Sequence, residues 1–322
     1  MNKETASNDN LEGKTFVIAG AAGFVPGHIA EFYLNKGAKV IGLDNFITGT
    51  ETTINILSKY KNFEFHRCDV SQTLPTLNEK VDYVLSLASP ASPIDFSKIP
   101  MEIMRVNTYG TWNLLSLTKD KGARFLEAST SEVYGDPEIH PQTESYYGNV
   151  NTVGPRSCYD ESKRFAETLA HNFNTLYGVE TRIVRIFNTY GPRMRPNDGR
   201  VIPNFINQAL KGEDLTVYGD GKQTRSFCFV EDLVRAIDCV LFSDDPTPFN
   251  CGNPDEYSIN ECAEKIIQIL GSSSKISYLP IGKDDPKVRR PDLTKLKSVS
   301  SYEPAISFHD GISRTAEYFK SL

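Results

Sequence analysis

The sequence has no Cys-x-x-Cys pair, and its six cysteines stand apart at 68, 158, 228, 239, 251 and 262. Its five histidines are scattered, so the ligand spacing of a zinc site is missing and no metal is expected. A chain of 322 residues buries roughly three quarters of its unfolded surface and needs no disulfide staples, so the thiols read as reduced, cytosolic residues. No apolar run approaches the roughly 18 residues of a membrane span. The opening MNKETASNDNLEGK (1–14) lacks the apolar core of a secretion signal. The expectation is a cytoplasmic protein with no membrane partner. Positive charge is not in excess either: 35 basic against 41 acidic residues leave a net charge of −6, which argues against bulk nucleic-acid binding. With 39% hydrophobic and 24% charged residues, the composition is that of a globular chain rather than a disordered or fibrous one.

The first half alternates short apolar runs with helical periodicity. Strands are expected at Thr15–Ala19, Ala38–Leu43, Phe63–His66, Tyr83–Ala88, Ala123–Ala128 and Arg182–Phe187. Helices are expected at Gly27–Lys36, Met101–Lys119 and Asp160–Phe173. Strands interleaved with helices predict crossover units, hence an α/β fold with a Rossmann-type, doubly wound parallel sheet. Past about residue 190 glycine and proline become dense, as in GPRMRPNDGR (191–200) and PTPFNCGNPDEY (246–257). Helices at Pro203–Lys211, Val230–Phe242, Ile259–Leu270 and Gly311–Leu322 are separated there by irregular links. The division expected is a polar tail over 1–13, a dinucleotide-binding domain over 14–190 and a smaller α+β substrate lobe over 191–322. Such lobes can send segments back to the first domain.

Gly20-Ala-Ala-Gly23-Phe-Val-Pro26-Gly27 follows the first strand and opens the first helix. Glycines at such a turn let the backbone approach a pyrophosphate, whose charge the helix N-terminus stabilises. Asp44, at the end of the second strand, is placed to accept hydrogen bonds from an adenosine ribose and favours NAD over NADP. The glycines alone also suit an ordinary strand–helix turn; strand, helix and Asp44 together point to a dinucleotide site. Asp69-Val70 ends the third strand, within reach of an adenine, although an exposed loop acid would look the same.

Tyr159-x-x-x-Lys163 sets two side chains one helical turn apart on one face. A neighbouring ammonium, and the positive nicotinamide of a bound cofactor, favour tyrosinate, so Tyr159 is expected to have a lowered pKa and to accept a proton from a sugar hydroxyl. The same spacing recurs at Tyr218-Gly-Asp-Gly-Lys222, where the glycines indicate a turn. Context favours the first pair. Ser129-Thr130-Ser131-Glu132 follows the fifth strand, at the carboxyl end of the sheet where α/β folds bind ligands. Its hydroxyls can bond a reacting hydroxyl, and Glu132 can serve as acid, base or sugar clamp; a capped loop is the plainer alternative.

These residues resemble the extended short-chain dehydrogenase/reductase (NAD-dependent epimerase/dehydratase) family, and within it the branch that decarboxylates UDP-glucuronic acid. The likeness runs from about Lys14 to Phe319. It is most specific in LASPASP (87–93), STSEVYGDP (129–137), GPRSCYDESKR (154–164), RIFNTYGPRM (185–194), NDGRV (197–201) and LTVYGDGKQTRSF (215–227). The resemblance implies that bound NAD oxidises C4 of the glucuronate ring, with Tyr159 as base supported by Lys163, Thr130 and Ser131. The 4-keto sugar then loses its C6 carboxylate as CO2, and protonation at C5 with reduction at C4 gives UDP-xylose.

It also implies that Arg289 orients the carboxylate and that Glu132 positions the sugar or takes part in proton transfer. For the cofactor it adds Phe24, Val25, Asn45, Leu87 and Ala88 to Gly20, Gly23, Asp44, Asp69 and Val70. For the UDP-sugar it implies Pro93, Arg156, Asn188, Val201, Thr216, Val217, Tyr218 and Arg225, with Arg193, Arg195 and Arg200 as competitors for the diphosphate. A homodimer formed by pairing the Met101–Lys119 and Asp160–Phe173 helices is implied as well. Two positions depart from the pattern. Pro26 stands where relatives often carry glycine and is expected to shift the cofactor contacts. Ser86 stands where they often carry histidine and reads as a neutral strand-end change.

Three alternatives share much of this pattern. A nucleotide-sugar 4,6-dehydratase usually has an aspartic acid beside the glutamate, where this chain has Ser131, although GDP-mannose dehydratases carry a Ser-Glu pair. A UDP-glucuronate 4-epimerase usually has a small or hydroxyl residue in place of Glu132. A non-catalytic nucleotide-sugar sensor would be consistent with Pro26, but not with an intact Thr130, Glu132, Tyr159, Lys163 and Arg289.

Overall fold

Alternate residues of the first strand, β1 (Thr15–Ala19), enter two different cores. Phe16 and Ile18 pack with Ile29, Leu233 and Phe249 on one face of the sheet. Val17 and Ala19 pack with Leu114, Phe125 and Leu169 on the other. A strand covered on both faces is largely apolar, which is the reading of TFVIA. The computed structural model describes residues 10–280 and 288–322; the expected polar tail lies, over residues 1–9, outside the described residues.

In chain order the first half consists of β1, α1 (Phe24–Asn35), β2 (Lys39–Asp44), α2 (Glu51–Leu57), β3 (Phe63–Arg67), β4 (Tyr83–Ser86), α3 (Pro93–Lys98), α4 (Pro100–Arg105), α5 (Thr111–Lys121), β5 (Arg124–Thr130), α6 (Ser157–Tyr177) and β6 (Glu180–Ile186). After β7 (Thr189–Tyr190) come α7 (Val201–Lys211), β8 (Leu215–Tyr218), β9 (Thr224–Ser226), β10 (Cys228–Phe229), α8 (Val230–Leu241), β11 (Phe249–Cys251), β12 (Glu256–Ser258), α9 (Ile259–Leu270), β13 (Ile276–Leu279), β14 (Val288–Arg289), α10 (Thr294–Val299) and α11 (Phe308–Lys320).

The main sheet has seven strands in the order β11-β6-β5-β4-β1-β2-β3, and its pairings are parallel. The order reverses between β1 and β4, so a crevice opens there at the carboxyl edge. Beside it, Ile202, Phe205, Ile259, Cys262, Ile312 and Ala316 of α7, α9 and α11 form a second core. A three-stranded sheet, β12-β9-β14, and the β8–β13 pair face the crevice from this side. Register in the β9–β14 pair sets Arg225 opposite Arg289.

The doubly wound sheet agrees with the sequence expectation, with four local differences. Helix α1 begins at Phe24 rather than Gly27, which places Pro26 inside its first turn. The helix expected over Met101–Lys119 is interrupted by a π-helical turn, Val106–Gly110, between α4 and α5. Helix α6 is longer than its apolar stripe suggested. β11, only three residues long, leaves the glycine- and proline-rich region to become the edge of the main sheet.

Candidate active site

The crevice is one continuous cavity of about 1000 Å³ reaching from Gly20 to Arg289. At its far end Gly20 turns the chain with φ +85°. A Cβ there would stand 2.9 Å from the Ala88 Cα, so glycine is what lets this turn meet the end of β4. Helix α1 starts with no side-chain cap from Gly23, leaving its first N–H groups for an anion. Pro26 costs no intrahelical bond, because the first-turn N–H groups have no acceptor within any helix. Gly27 supplies the close packing: a Cβ on it would lie 2.5 Å from Thr53 Cγ2 of α2.

Asp44 Oδ2 accepts from the Ala22 N–H at 3.0 Å and Oδ1 from the Phe46 N–H at 2.7 Å. Burial raises its pKa and these backbone donors pull it back. A glycine cradle, an open helix N-terminus and a carboxylate fixed at the end of the second strand fit a dinucleotide such as NAD. Asp69 also lines the cavity, but its Oδ1 is engaged by the Ser71 N–H and hydroxyl at 2.9 and 2.7 Å.

Tyr159 and Lys163 lie one turn apart on α6, both buried and both on the cavity wall. The Tyr159 ring stacks on Phe96, with centroids 5.0 Å apart and planes 17° apart. Its hydroxyl is hydrogen-bonded to Thr130. The lowering expected from Lys163 together with a bound nicotinamide is not given by the protein's own groups. Burial raises the Tyr159 pKa and the Thr130 bond offsets this only in part. Lys163 Nζ donates to the Ala128 carbonyl at 2.6 Å and lies 3.2 Å from Glu127 Oε1, so a carboxylate answers its charge. Glu127 was missed by sequence reasoning; the signal was a charged residue in the otherwise apolar FLEA of β5. Ser86, expected to be neutral, is buried and hydrogen-bonds Glu127.

At the sugar end, Glu132 lies 2.8 Å from Arg156 and 3.4 Å from Arg289. Burial alone would raise its pKa, but the two guanidinium groups outweigh it and bring the carboxyl down to about 2. The two arginine partners thus favour the carboxylate form of Glu132. Arg289 is 1% exposed. It donates to Ser131 Oγ at 3.0 Å and to the Gly135 carbonyl at 2.9 Å. Beside Tyr159, burial and then the charge of Glu132 push Asp160 up to about 7.

Phe24, Val25, Asn45, Val70, Leu87, Pro93, Asn188, Val201, Thr216, Tyr218 and Arg225 line the same cavity. Val217 does not. Strand alternation turns its side chain into the second core, so this register offers no Val217 side-chain contact. The competing arginines reach the wall but carry acid partners: Arg193 pairs with Glu31, Arg195 with Asp95 at 2.7 Å, and Arg200 with Asp198. Among the described residues there is no group of three or more His, Cys, Asp or Glu side chains that could hold a metal. Nor is any described helix long and apolar enough to cross a membrane.

A dinucleotide crevice with a Tyr–Lys pair on its wall defines a class of nicotinamide-dependent sugar-nucleotide enzymes. Residues 16–252 match the NAD dependent epimerase/dehydratase family, and this chain belongs to that family. It is 47% identical over 307 residues to UDP-glucuronic acid decarboxylase 1 of Xenopus tropicalis, covering 95% of this chain and 72% of the relative. It is also 47% identical over 305 residues to UDP-glucuronic acid decarboxylase 1 of Arabidopsis thaliana, covering 95% and 69%. Among solved structures it is similar to the UDP-glucuronic acid 4-epimerase of Bacillus cereus in complex with UDP-glucuronic acid and NAD. That likeness has a TM-score of 0.86 at 28% identity, over 95% of this chain and 99% of the epimerase.

Proposed function

We propose that the protein is an NAD-dependent decarboxylase that converts UDP-glucuronic acid to UDP-xylose. The observation that carries the reading is one cavity holding both the Tyr159–Lys163 pair and the Arg289–Glu132–Arg156 cluster. The first suits oxidation of a sugar hydroxyl and the second suits a carboxylate. Decarboxylase relatives at 47% identity over 95% of this chain support it further.

Gly20, Gly23, Phe24, Val25, Asp44, Asn45, Asp69, Val70, Leu87 and Ala88 would hold NAD, which would supply the hydride acceptor for C4 and the donor that later restores it. Tyr159 accepts the C4 hydroxyl proton, aided by Thr130, Ser131 and Lys163. A ketone at C4 makes the C6 carboxylate a β-keto acid. Its C5–C6 electron pair passes into an enolate as CO2 leaves, and donors at Tyr159 and Thr130 stabilise the developing oxyanion. Arg289 orients the departing carboxylate through its planar guanidinium, while Glu132 and Arg156 position the sugar. A proton from solvent then adds at C5, and Tyr159 returns its proton to the C4 oxygen. Asn188 and Arg225 take the diphosphate, for which a guanidinium suits. Thr216 and Tyr218 flank the uracil, with Pro93 and Val201 completing the wall.

A 4,6-dehydratase would need an acid at this place to protonate a leaving hydroxyl; Glu132 is ionised and Ser131 bonds Arg289. We assign 14–190 mainly to the cofactor and 191–322 mainly to the UDP-sugar. Exposed Met101, Met104, Tyr109, Trp112, Phe165 and Leu176 on the α4–α5 and α6 faces support a homodimer through those helices. Six unpaired cysteines support a cytoplasmic location. The test is substrate carrying carbon-13 at C6: labelled CO2 is the expected product, and label retained on the nucleotide sugar overturns the assignment.

A further inference from the structure

Glu127 lies in the middle of β5, a strand covered on both faces, and has no exposed surface. A carboxylate in such a place is costly unless a charge and hydrogen bonds answer it. The groups that face it come from three directions. Lys163 of α6 lies 3.2 Å from Oε1, Ser86 of β4 hydrogen-bonds it, and Thr111 of α5 stands 3.5 Å from Oε2. Glu167, the next acid along α6, is matched by Arg185 at 2.8 Å and accepts from Ser129. It is therefore already compensated, and Glu127 is the counter-charge of Lys163.

We propose that Glu127 is a positioning residue for the Tyr159–Lys163 pair, anchoring the Lys163 ammonium from beneath and offsetting its charge, so that Tyr159 works in a weaker positive field than a lysine alone would supply. The inference rests on the reading of Tyr159 as the base for C4 oxidation. Lys163 has three N–H donors. Two go to the Ala128 carbonyl and Glu127, which fixes the head group and leaves one donor. Tyr159 also feels Thr130, Glu132, Arg200 and Asp160; these groups are unchanged by a substitution at 127, so a comparison of variants isolates the Glu127 charge. Burial pulls the Glu127 carboxyl above its ordinary range and Lys163 pulls it back.

The experiment is the pH dependence of kcat/KM for UDP-glucuronic acid in the wild-type protein, Glu127→Gln and Glu127→Asp, each checked by thermal melting. Glutamine keeps the size and an oxygen acceptor for Lys163 while deleting the charge. The acid limb is expected to move to lower pH by about one unit in E127Q. In E127D, which keeps the charge but withdraws it by one methylene, it moves the same way by less. Should E127Q not fold, E127D carries the comparison. A limb that stays in place in the variants that fold shows Glu127 to be structural only and overturns the proposal. Wild-type protein that releases no CO2 overturns instead the reading of the site, so the two failures are distinct.

Discussion

The Arg289 guanidinium lies 3.4 Å from Glu132 Oε1, joining β14 to the turn after β5 across 157 positions of sequence. The pair is held from both sides: Arg289 also bonds Ser131 and the Gly135 carbonyl, and Glu132 also pairs with Arg156. The sugar end of the cavity is thus built only when both parts of the chain are folded.

This pairing predicts an acid-sensitive contribution to stability. The folded Glu132 pKa of about 2 lies below its unfolded value near 4.3. Its contribution is therefore present above the unfolded value and is lost as pH falls through the folded one, with a size of about 3 kcal/mol. Glu132→Gln should lower the melting temperature at pH 7 and flatten its decline between about pH 4 and pH 2. Parallel melting curves for the two proteins would contradict this.

Arg289→Lys keeps the charge but loses the fork that reaches Ser131, Gly135 and Glu132 together. CO2 release should fall more than C4 oxidation, which trapping of a 4-keto sugar that retains its carboxylate would report. Equal losses in both steps would mean that Arg289 serves the whole site rather than the carboxylate.

Tyr159→Phe should lower turnover by about 10²- to 10⁴-fold while UDP affinity, measured by calorimetry, stays close to wild type. The ring that stacks on Phe96 remains, so a folding defect is not expected. Full activity would remove Tyr159 as the base.

Gly27→Ala should weaken NAD binding and lower the melting temperature, because its Cβ would come within 2.5 Å of Thr53 Cγ2. Adding Thr53→Ser removes that methyl and keeps the hydroxyl that meets Thr50. Recovery of both properties in the double variant is expected; no recovery would locate the strain elsewhere.

Six of the seven strands of the main sheet were legible because parallel strands buried on both faces are largely apolar. The glycine turn, Asp44 and the Tyr159–Lys163 spacing were legible because each is a local pattern. What escaped depends on partners distant in sequence. The π-helical turn at Val106–Gly110 leaves periodicity almost unchanged, yet it sets Asn107 2.9 Å from Ser162 of α6. β11 is too short to show alternation and is defined by its pairing with β6. Val217 sits between two cavity residues and turns away by strand alternation. The lowered Tyr159 pKa is not given by the protein's own groups because tertiary packing buries the ring, and burial outweighs the Thr130 bond.

The central claim is that one site oxidises, decarboxylates and reduces the same sugar. It is tested most directly by proton NMR and mass spectrometry of the product formed by purified protein from UDP-glucuronic acid with NAD. The account predicts a nucleotide sugar lighter by one CO2, with the ring signals of a pentose of xylose configuration. A product of unchanged mass with inverted configuration at C4 would contradict it and make the protein an epimerase.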